Sequence, residues 1–171
     1  MEIVKLRLRD LQPSQFYISA GKLKAIERWL HPEDLSGFQP IPVKLLDGKP
    51  VMTDGHTRAV AALRAGLTAV PLVWDEDDLD WDMYRACVKA CLEKKILSPV
   101  DLLTRIIPEE DYREKWDAWC DTMQTEIEKK QKVTNRDLST NRSLGNHFQW
   151  SDGNENQPTR LQRVQGEEIR R

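Results

Sequence analysis

The sequence predicts an α+β protein with a small mixed sheet and a C-terminal helical part, and three observations support this. Short segments that alternate apolar and polar residues, typical of half-buried strands, are confined to the first 75 residues. Apolar residues at helical spacing lie between these segments and dominate residues 76–130. The resulting order of strand, helix, hairpin, helix and strand favours mixed structure over an all-helical bundle.

The first predicted elements are a strand and an amphipathic helix. The strand is predicted because basic residues alternate with the apolar residues Val4, Leu6 and Leu8. Pro13 and Ser14 then break the pattern. A helix is predicted next, because apolar residues recur at helical spacing and polar residues lie on the opposite face. The apolar residues are Leu23, Ile26, Trp29 and Leu30.

A hairpin and a second helix come next. Ile41, Val43 and Leu45 alternate with other residues, Asp47-Gly48 forms a tight turn, and 51–53 is the return strand. After a second turn at Asp54-Gly55, an Ala-rich run from His56 to Ala65 predicts a helix that ends at Gly66. Residues 70–74 form the last predicted strand.

The chain therefore divides into a core at 1–75, a helical extension packed on it at 76–130, and a disordered tail at 131–171. In the extension, Ser98-Pro99 is a typical helix start, and Trp116 and Trp119 are predicted to pack in the core against Trp81 or Tyr84. The tail is rich in Gln, Asn, Ser, Thr and Arg and has too few apolar residues to offset the entropy of ordering.

Composition excludes several classes of protein. The 171 residues have a net charge of -2, from an acidic body (19 basic and 23 acidic residues in 1–130) and a basic tail (7 and 5). This balance argues against a strongly basic nucleic-acid binder, so DNA is only a weakly supported partner. Apolar runs are too short for a membrane helix, and no signal-peptide pattern opens the chain. We expect a cytoplasmic protein with no membrane partner; the oligomeric state stays open.

Metal binding is not predicted. The three cysteines do not form a disulfide framework, and their odd number is typical of reduced thiols. The three histidines are scattered along the chain, without the spacing of zinc ligands. The acidic run from Asp75 to Asp82 can gather a divalent cation, but such runs are more often solvated loops or helix starts.

The segment Asp54-Gly55-His56-Thr57-Arg58 is the main candidate site. It joins a strand to a helix whose first turn leaves unpaired N–H groups and a positive dipole end, which together favour an anion. Thr57 adds a hydroxyl and Arg58 a guanidinium suited to phosphate oxygens. Asp54 can hold a metal, accept a proton or cap the helix. The alternative interpretation is a turn and a helix start that bind nothing.

The surroundings of this segment resemble the ParB/sulfiredoxin superfamily. The resemblance covers roughly residues 3–75 and is carried by Leu11-Gln12-Pro13-Ser14-Gln15, Lys22-Leu23, Pro40-Ile41-Pro42-Val43, Asp47-Gly48, Asp54-Gly55-His56-Thr57-Arg58, Ala61-Ala62, Gly66 and Val70-Pro71. It implies a nucleotide site whose phosphates lie on the turn from Gly55 to Arg58.

Differences within the superfamily discriminate between its members. Sulfiredoxins have a cysteine where this chain has His56, and ParB CTPases have Glu-Arg-Arg where it has His-Thr-Arg. The box is most similar to Asp-Gly-His-His-Arg of the free serine kinases, from which Thr57 departs. This resemblance implies that Asp54 acts near the transferred phosphoryl group and that His56 binds phosphate. Those kinases also have an N-terminal catalytic glutamate, whereas no acid lies between Asp10 and Glu27 here.

Two functions follow as expectations. In the first, a nucleoside di- or triphosphate with Mg²⁺ binds at Gly55, His56, Thr57 and Arg58 and donates phosphate to a small hydroxylated substrate such as free serine. Asp54 and His56 are then the catalytic candidates, with Ser19 and Lys22 as substrate-binding candidates. The alternative is a non-enzymatic ParB-like module that binds nucleotide and DNA or protein in partition, phage or plasmid functions.

Overall fold

The computed structural model describes residues 6–140 and has the predicted α+β architecture. Its larger sheet has three strands, β2 (Ile41–Leu46), β3 (Lys49–Met52) and β4 (Leu72–Trp74), in the order β3-β2-β4. Strands β2 and β3 are antiparallel, whereas β4 runs parallel to β2. The hairpin turn is tight because Asp47 and Gly48 both adopt positive φ, of 52° and 80°.

A smaller parallel sheet joins the two halves of the chain. It pairs β1 (Ile18–Ser19) with β5 (Ile106–Ile107). Helix α1 (Ala20–Glu27) begins directly after β1, and the side chain of Ser19 caps it by accepting a hydrogen bond from the Lys22 N–H. The chain that precedes β1 also pairs with β3, through an isolated bridge between Gln12 and Val51.

Helix α2 (His56–Arg64) lies in the core, in contact with α1. Every residue from its start at His56 to Ala62 is buried. Small alanine side chains allow this helix to be surrounded on all sides. Gly66, with a φ of 85°, follows its end, as the sequence predicts.

The C-terminal half is helical. Helix α3 (Trp81–Glu93) is followed by a 3₁₀ segment, Pro99–Thr104, which the side chain of Ser98 caps. The chain is then helical from residue 109 to residue 140, as α4 (Glu109–Tyr112), a π-helical turn (Arg113–Asp117) and α5 (Ala118–Thr140). Within residues 6–140, no helix is both long and apolar enough to cross a membrane.

The described part of the chain divides into two units, one that ends at Trp119 and one that begins at Cys120. In the first unit, residues beyond 75 bond to earlier ones: Gln12 Nε2 donates to the Ile96 carbonyl at 2.9 Å, and the Tyr84 hydroxyl to the Thr53 carbonyl at 2.9 Å. The predicted division of the body at residue 75 stays a prediction.

Three local predictions were wrong. No strand forms at Leu6–Leu8; Leu8–Asp10 is a 3₁₀ turn, closed by the Asp10 carboxylate, which accepts the Arg7 N–H. Trp116 is buried, as predicted, but both Trp116 and Trp119 pack edge-on against Phe16. Residues 131–140 continue helix α5, because extending an existing helix avoids the cost of nucleation, so a disordered tail does not begin at Gln131. Its remainder, residues 141–171, lies outside the described residues.

Candidate functional site

The predicted box is a rigid turn between β3 and α2. Thr53, the residue before the box, donates its backbone N–H to the Pro42 carbonyl at 3.1 Å, while its own carbonyl accepts the hydroxyl of Tyr84. The Thr53 side chain donates to Oδ2 of Asp75 at 2.5 Å. The entry to the turn is therefore fixed from the sheet and from α3.

Gly55 occupies a position that other residues would strain. It caps α2 with a φ of 77°, in the left-handed region. A Cβ atom there would lie 2.9 Å from Nη2 of Arg58 and 3.1 Å from Cγ1 of Ile41. The Gly55 N–H donates to Oδ1 of Asp54 at 2.5 Å. Both the backbone angle and the lack of space therefore require glycine.

The guanidinium of Arg58 points into the protein. Its Nη1 donates to the carbonyls of Gln39 at 2.6 Å and Pro40 at 3.2 Å, and its Nη2 lies 3.4 Å from Oδ2 of Asp54. Arg58 is only 4% exposed, and the Asp54 side chain is 17% exposed. The arginine thus ties the start of α2 to the segment that precedes β2, with Asp54 as its counterion.

The imidazole of His56 is also held inside. Its Nε2 accepts a hydrogen bond from the Ser14 N–H at 3.0 Å, so the neutral ring has its proton on Nδ1. Burial, and then the nearby charge of Arg58, lower the pKa of His56 to about 3. Ser14 is itself fixed, since its hydroxyl donates to the Met52 carbonyl at 2.6 Å. His56 is therefore neutral at physiological pH.

These contacts decide how the turn can hold an anion. The side chains of His56, Thr57 and Arg58 are all buried. The N–H groups of the first turn of α2 have no partner within the helix and lie at its positive end. Because these three side chains are buried, any contact of this turn with an anion would be made by its backbone N–H groups.

Ser19 and Lys22, the substrate-binding candidates, belong to a second cluster that the sequence did not reveal. The buried hydroxyl of Ser19 donates to Oε2 of Glu109. The ammonium of Lys22 lies 5.0 Å from the centroid of the Tyr112 ring, and the Tyr112 hydroxyl accepts a hydrogen bond from Gln15 Nε2 at 3.0 Å. Glu109 thus places a carboxylate in a region where the nearby sequence has none.

The two clusters are connected through the segment from Ser14 to Ser19. One end of this segment contacts His56 in α2, and the other contacts Glu109 in α4. Strand β1 itself lies against both helices. The structure therefore brings Asp54, Gly55, His56 and Arg58 into one group and Ser19, Lys22 and Glu109 into a neighbouring group.

Asp75 differs from the rest of the acidic run. It is 6% exposed and accepts hydrogen bonds from the Thr53 side chain and, at 3.0 Å, from the Asp77 N–H. Its role is to fix the end of β4 against the box. Among residues 6–140, no three His, Cys, Asp or Glu side chains are grouped in a way that could hold a metal ion.

Comparisons with known proteins identify no relative. No protein-family model matches the sequence, and no curated protein does. One solved structure, protein Atu1540 from Agrobacterium tumefaciens, is similar with a TM-score of 0.38 and 13% sequence identity. The similarity covers 63% of this chain and 62% of that one. This TM-score is too low to establish a common fold.

Proposed function

We propose that this protein binds a nucleotide whose phosphates contact the backbone N–H groups at the start of α2. The observation that supports this proposal is the set of contacts that hold the turn in place. Gly55 lies against the Arg58 guanidinium, which is held by the carbonyls of Gln39 and Pro40. A turn fixed in this way loses little conformational freedom when an anion binds.

In this proposal the residues of the box have different roles. Gly55, His56, Thr57 and Arg58 supply the turn and its N–H groups. The side chains of His56 and Arg58 position the turn from inside, because both are already bonded within the protein. The carboxylate of Asp54 neutralises the charge of Arg58 and remains partly exposed to solvent. Mg²⁺ would accompany the nucleotide, because phosphoryl transfer depends on stabilising the charge of the phosphates.

We further propose a cytoplasmic location, because nucleotides and reduced thiols are both found there. Cys87, Cys91 and Cys120 form no disulfide. Cys91 is buried, and this burial raises the pKa of its thiol to about 12, so it stays protonated.

Phosphoryl transfer is the second candidate function, and the cluster at Ser19 favours it. Glu109 places a carboxylate on the Ser19 hydroxyl, and the ammonium of Lys22 lies over the ring of Tyr112 in the same helix as Glu109. This arrangement complements a small zwitterion with a hydroxyl group, such as free serine. A bound nucleoside di- or triphosphate would supply the phosphoryl group. Asp54 would accept the proton of the substrate hydroxyl through its carboxylate.

A nucleotide panel tests the binding proposal. We expect ATP, ADP or CTP with Mg²⁺ at millimolar concentration to raise the melting temperature. In ¹⁵N-resolved spectra, the same nucleotide should shift the amide signals of His56, Thr57 and Arg58 most strongly. Gly55→Ala should weaken binding, whereas Gly48→Ala, at a glycine with a similar φ of 80° and open space around it, should not.

Two outcomes would contradict the binding proposal. One is the absence of a melting shift with every nucleotide. The other is binding whose amide shifts leave the start of α2 unchanged. Transfer is tested separately, by the formation of phosphoserine from free serine and a nucleotide. Asp54→Asn should abolish this product while nucleotide binding persists. Binding without any transfer would identify the non-enzymatic module instead.

A further inference from the structure

Gly21 lies beside the carboxylate of Glu109 at the start of α1. The residue is part of the helix and has no positive φ, so the backbone does not require glycine at this position. Alanine is the better helix former. A Cβ atom at Gly21 would lie 3.7 Å from Oε2 of Glu109 and 3.8 Å from Oγ of Ser19, which are ordinary contact distances. Neither backbone strain nor lack of space therefore explains the glycine.

The glycine leaves open space beside the carboxylate. Gly21 is exposed, and the side chain of Glu109 is 41% exposed. A side chain at position 21 would begin within 4 Å of the Glu109 carboxylate and would cover part of it. Small solutes can therefore reach this carboxylate past the start of α1.

Ser19 holds the Glu109 carboxylate in place but is not itself accessible. Its hydroxyl donates to Oε2 of Glu109 and accepts the Lys22 N–H at 3.3 Å, and the residue is buried. The other oxygen of the carboxylate, Oε1, lies 3.8 Å from Nε of Arg113, which is too long for a hydrogen bond. The pair therefore offers a solute one oriented carboxylate oxygen, which accepts hydrogen bonds.

The charges around this oxygen favour a cation. The first turn of α4 contains three acids, Glu109, Glu110 and Asp111. The ammonium of Lys22 lies over the ring of Tyr112, 5.0 Å from its centroid. Three carboxylates in one turn repel an anion, whereas an ammonium group can donate a charge-assisted hydrogen bond to Oε1 of Glu109.

We infer that Glu109 binds the ammonium group of a small hydroxylated amine and that Gly21 gives this amine access to the carboxylate. The inference rests on the transfer function proposed above for the hydroxyl group, which would accept the phosphate, whereas the ammonium contact needs no nucleotide. Ser19 is a positioning residue in this site, because it orients the carboxylate without contacting the amine.

Ethanolamine and ethylene glycol are the probes, because a hydroxyl in the second replaces the ammonium of the first. We expect ethanolamine at millimolar concentration, at constant pH and ionic strength, to shift the ¹⁵N-resolved amide signals of Gly21 and Lys22. Ethylene glycol should shift neither. Glu109→Gln keeps an acceptor for Ser19 but removes the charge, and should weaken ethanolamine binding about fivefold. Glu110→Gln, at the exposed neighbour, should not.

Gly21→Ala separates access from stability. This variant should melt no lower than the wild-type protein, because alanine favours the helix and its Cβ fits. It should nevertheless weaken ethanolamine binding about fivefold or more, since the methyl group covers the carboxylate. Gly37→Ala is the matched control, because Gly37 also has no positive φ and nothing lies within 4 Å of a Cβ there. Its ethanolamine binding should equal that of the wild-type protein.

Three results would overturn the inference: equal shifts with the two probes, ethanolamine binding that is unchanged in Glu109→Gln, and ethanolamine binding that is unchanged in Gly21→Ala. The nucleotide panel gives a separate answer. Ethanolamine binding that depends on Glu109 and Gly21, in a protein that no nucleotide affects, would support the ammonium site and contradict the nucleotide proposal.

Discussion

The backbone N–H of Ser14 donates a hydrogen bond to Nε2 of His56 at 3.0 Å, and this contact defines the histidine as a neutral acceptor. The ring is 4% exposed. It connects the loop that leads to β1 with the first turn of α2. The His56 ring therefore holds the candidate site together by linking these two segments. Four predictions follow from this hydrogen bond and from the contacts around it.

The stability of the protein should depend on pH through His56. Its pKa is about 3 when folded and about 6.5 when unfolded, so between these values the unfolded state binds more protons. The free energy of unfolding should therefore fall as the pH drops below about 6.5, by up to about 1.4 kcal/mol per pH unit.

Urea unfolding between about pH 7 and about pH 5 measures this slope. His56→Gln should remove it. His31→Gln, at a histidine whose side chain is 68% exposed, should leave it unchanged. A wild-type protein with equal stability across this range would show that His56 is not buried as a neutral ring.

Gly55→Ala should destabilise the protein more than Gly48→Ala. Both glycines have positive φ, so both variants carry a backbone cost of about 1–2 kcal/mol. Only the new Cβ at Gly55 meets other atoms, at 2.9 Å and 3.1 Å, whereas nothing lies within 4 Å of one at Gly48. This overlap should add about 1–3 kcal/mol.

Chemical denaturation of both alanine variants gives this difference directly. Equal losses of stability would mean that Arg58 and Ile41 yield to the new methyl group. In that case the turn would not be rigid, and the support for a preformed anion site would be lost.

Tyr84→Phe should cost about 1 kcal/mol, because it removes the hydroxyl that donates to the Thr53 carbonyl at 2.9 Å. Tyr84 is 2% exposed, so water does not readily replace the lost donor. Tyr17→Phe is the control, since the side chain of Tyr17 contacts Phe16 and Arg105 through its ring. Thermal unfolding compares the two, and an equal effect would contradict the role of the Tyr84 hydroxyl.

Ser19 and Glu109 should be energetically coupled. Ser19→Ala removes both the cap of α1 and the donor to Glu109, and should cost about 1–2 kcal/mol. A double-mutant cycle with Glu109→Gln should give a coupling of about 0.5–1.5 kcal/mol. The same cycle with Glu110→Gln, at the exposed neighbour, should give none. Additive effects of Ser19 and Glu109 would show that the contact has no energetic role.

Much of the fold near the box is readable from local sequence. Asp47-Gly48 between alternating apolar residues identifies the hairpin, because few residues adopt positive φ without cost. The Ala-rich run before Gly66 identifies α2 in the same way. By contrast, the strand that alternation predicts is absent at residues 6–8, since the Asp10 carboxylate closes a turn there.

The roles of the box residues could not be predicted from local sequence. The sequence predicts that the side chains of Arg58 and His56 bind phosphate. Whether a guanidinium faces solvent or the carbonyls of Gln39 and Pro40 depends on where a distant segment of chain passes. The protonation of His56 likewise depends on burial and on the Ser14 N–H, which no local pattern encodes.

By itself, the sequence determined the α+β class, the hairpin, the helix after Gly55 and the location of the candidate turn. These features depend on backbone angles and on periodicity, which neighbouring residues set. Only the tertiary structure decided that His56 and Arg58 face inward and that Glu109 meets Ser19, 90 residues away. Hydrogen bonds and burial of this kind depend on contacts between distant segments, and these exist only once the chain has folded.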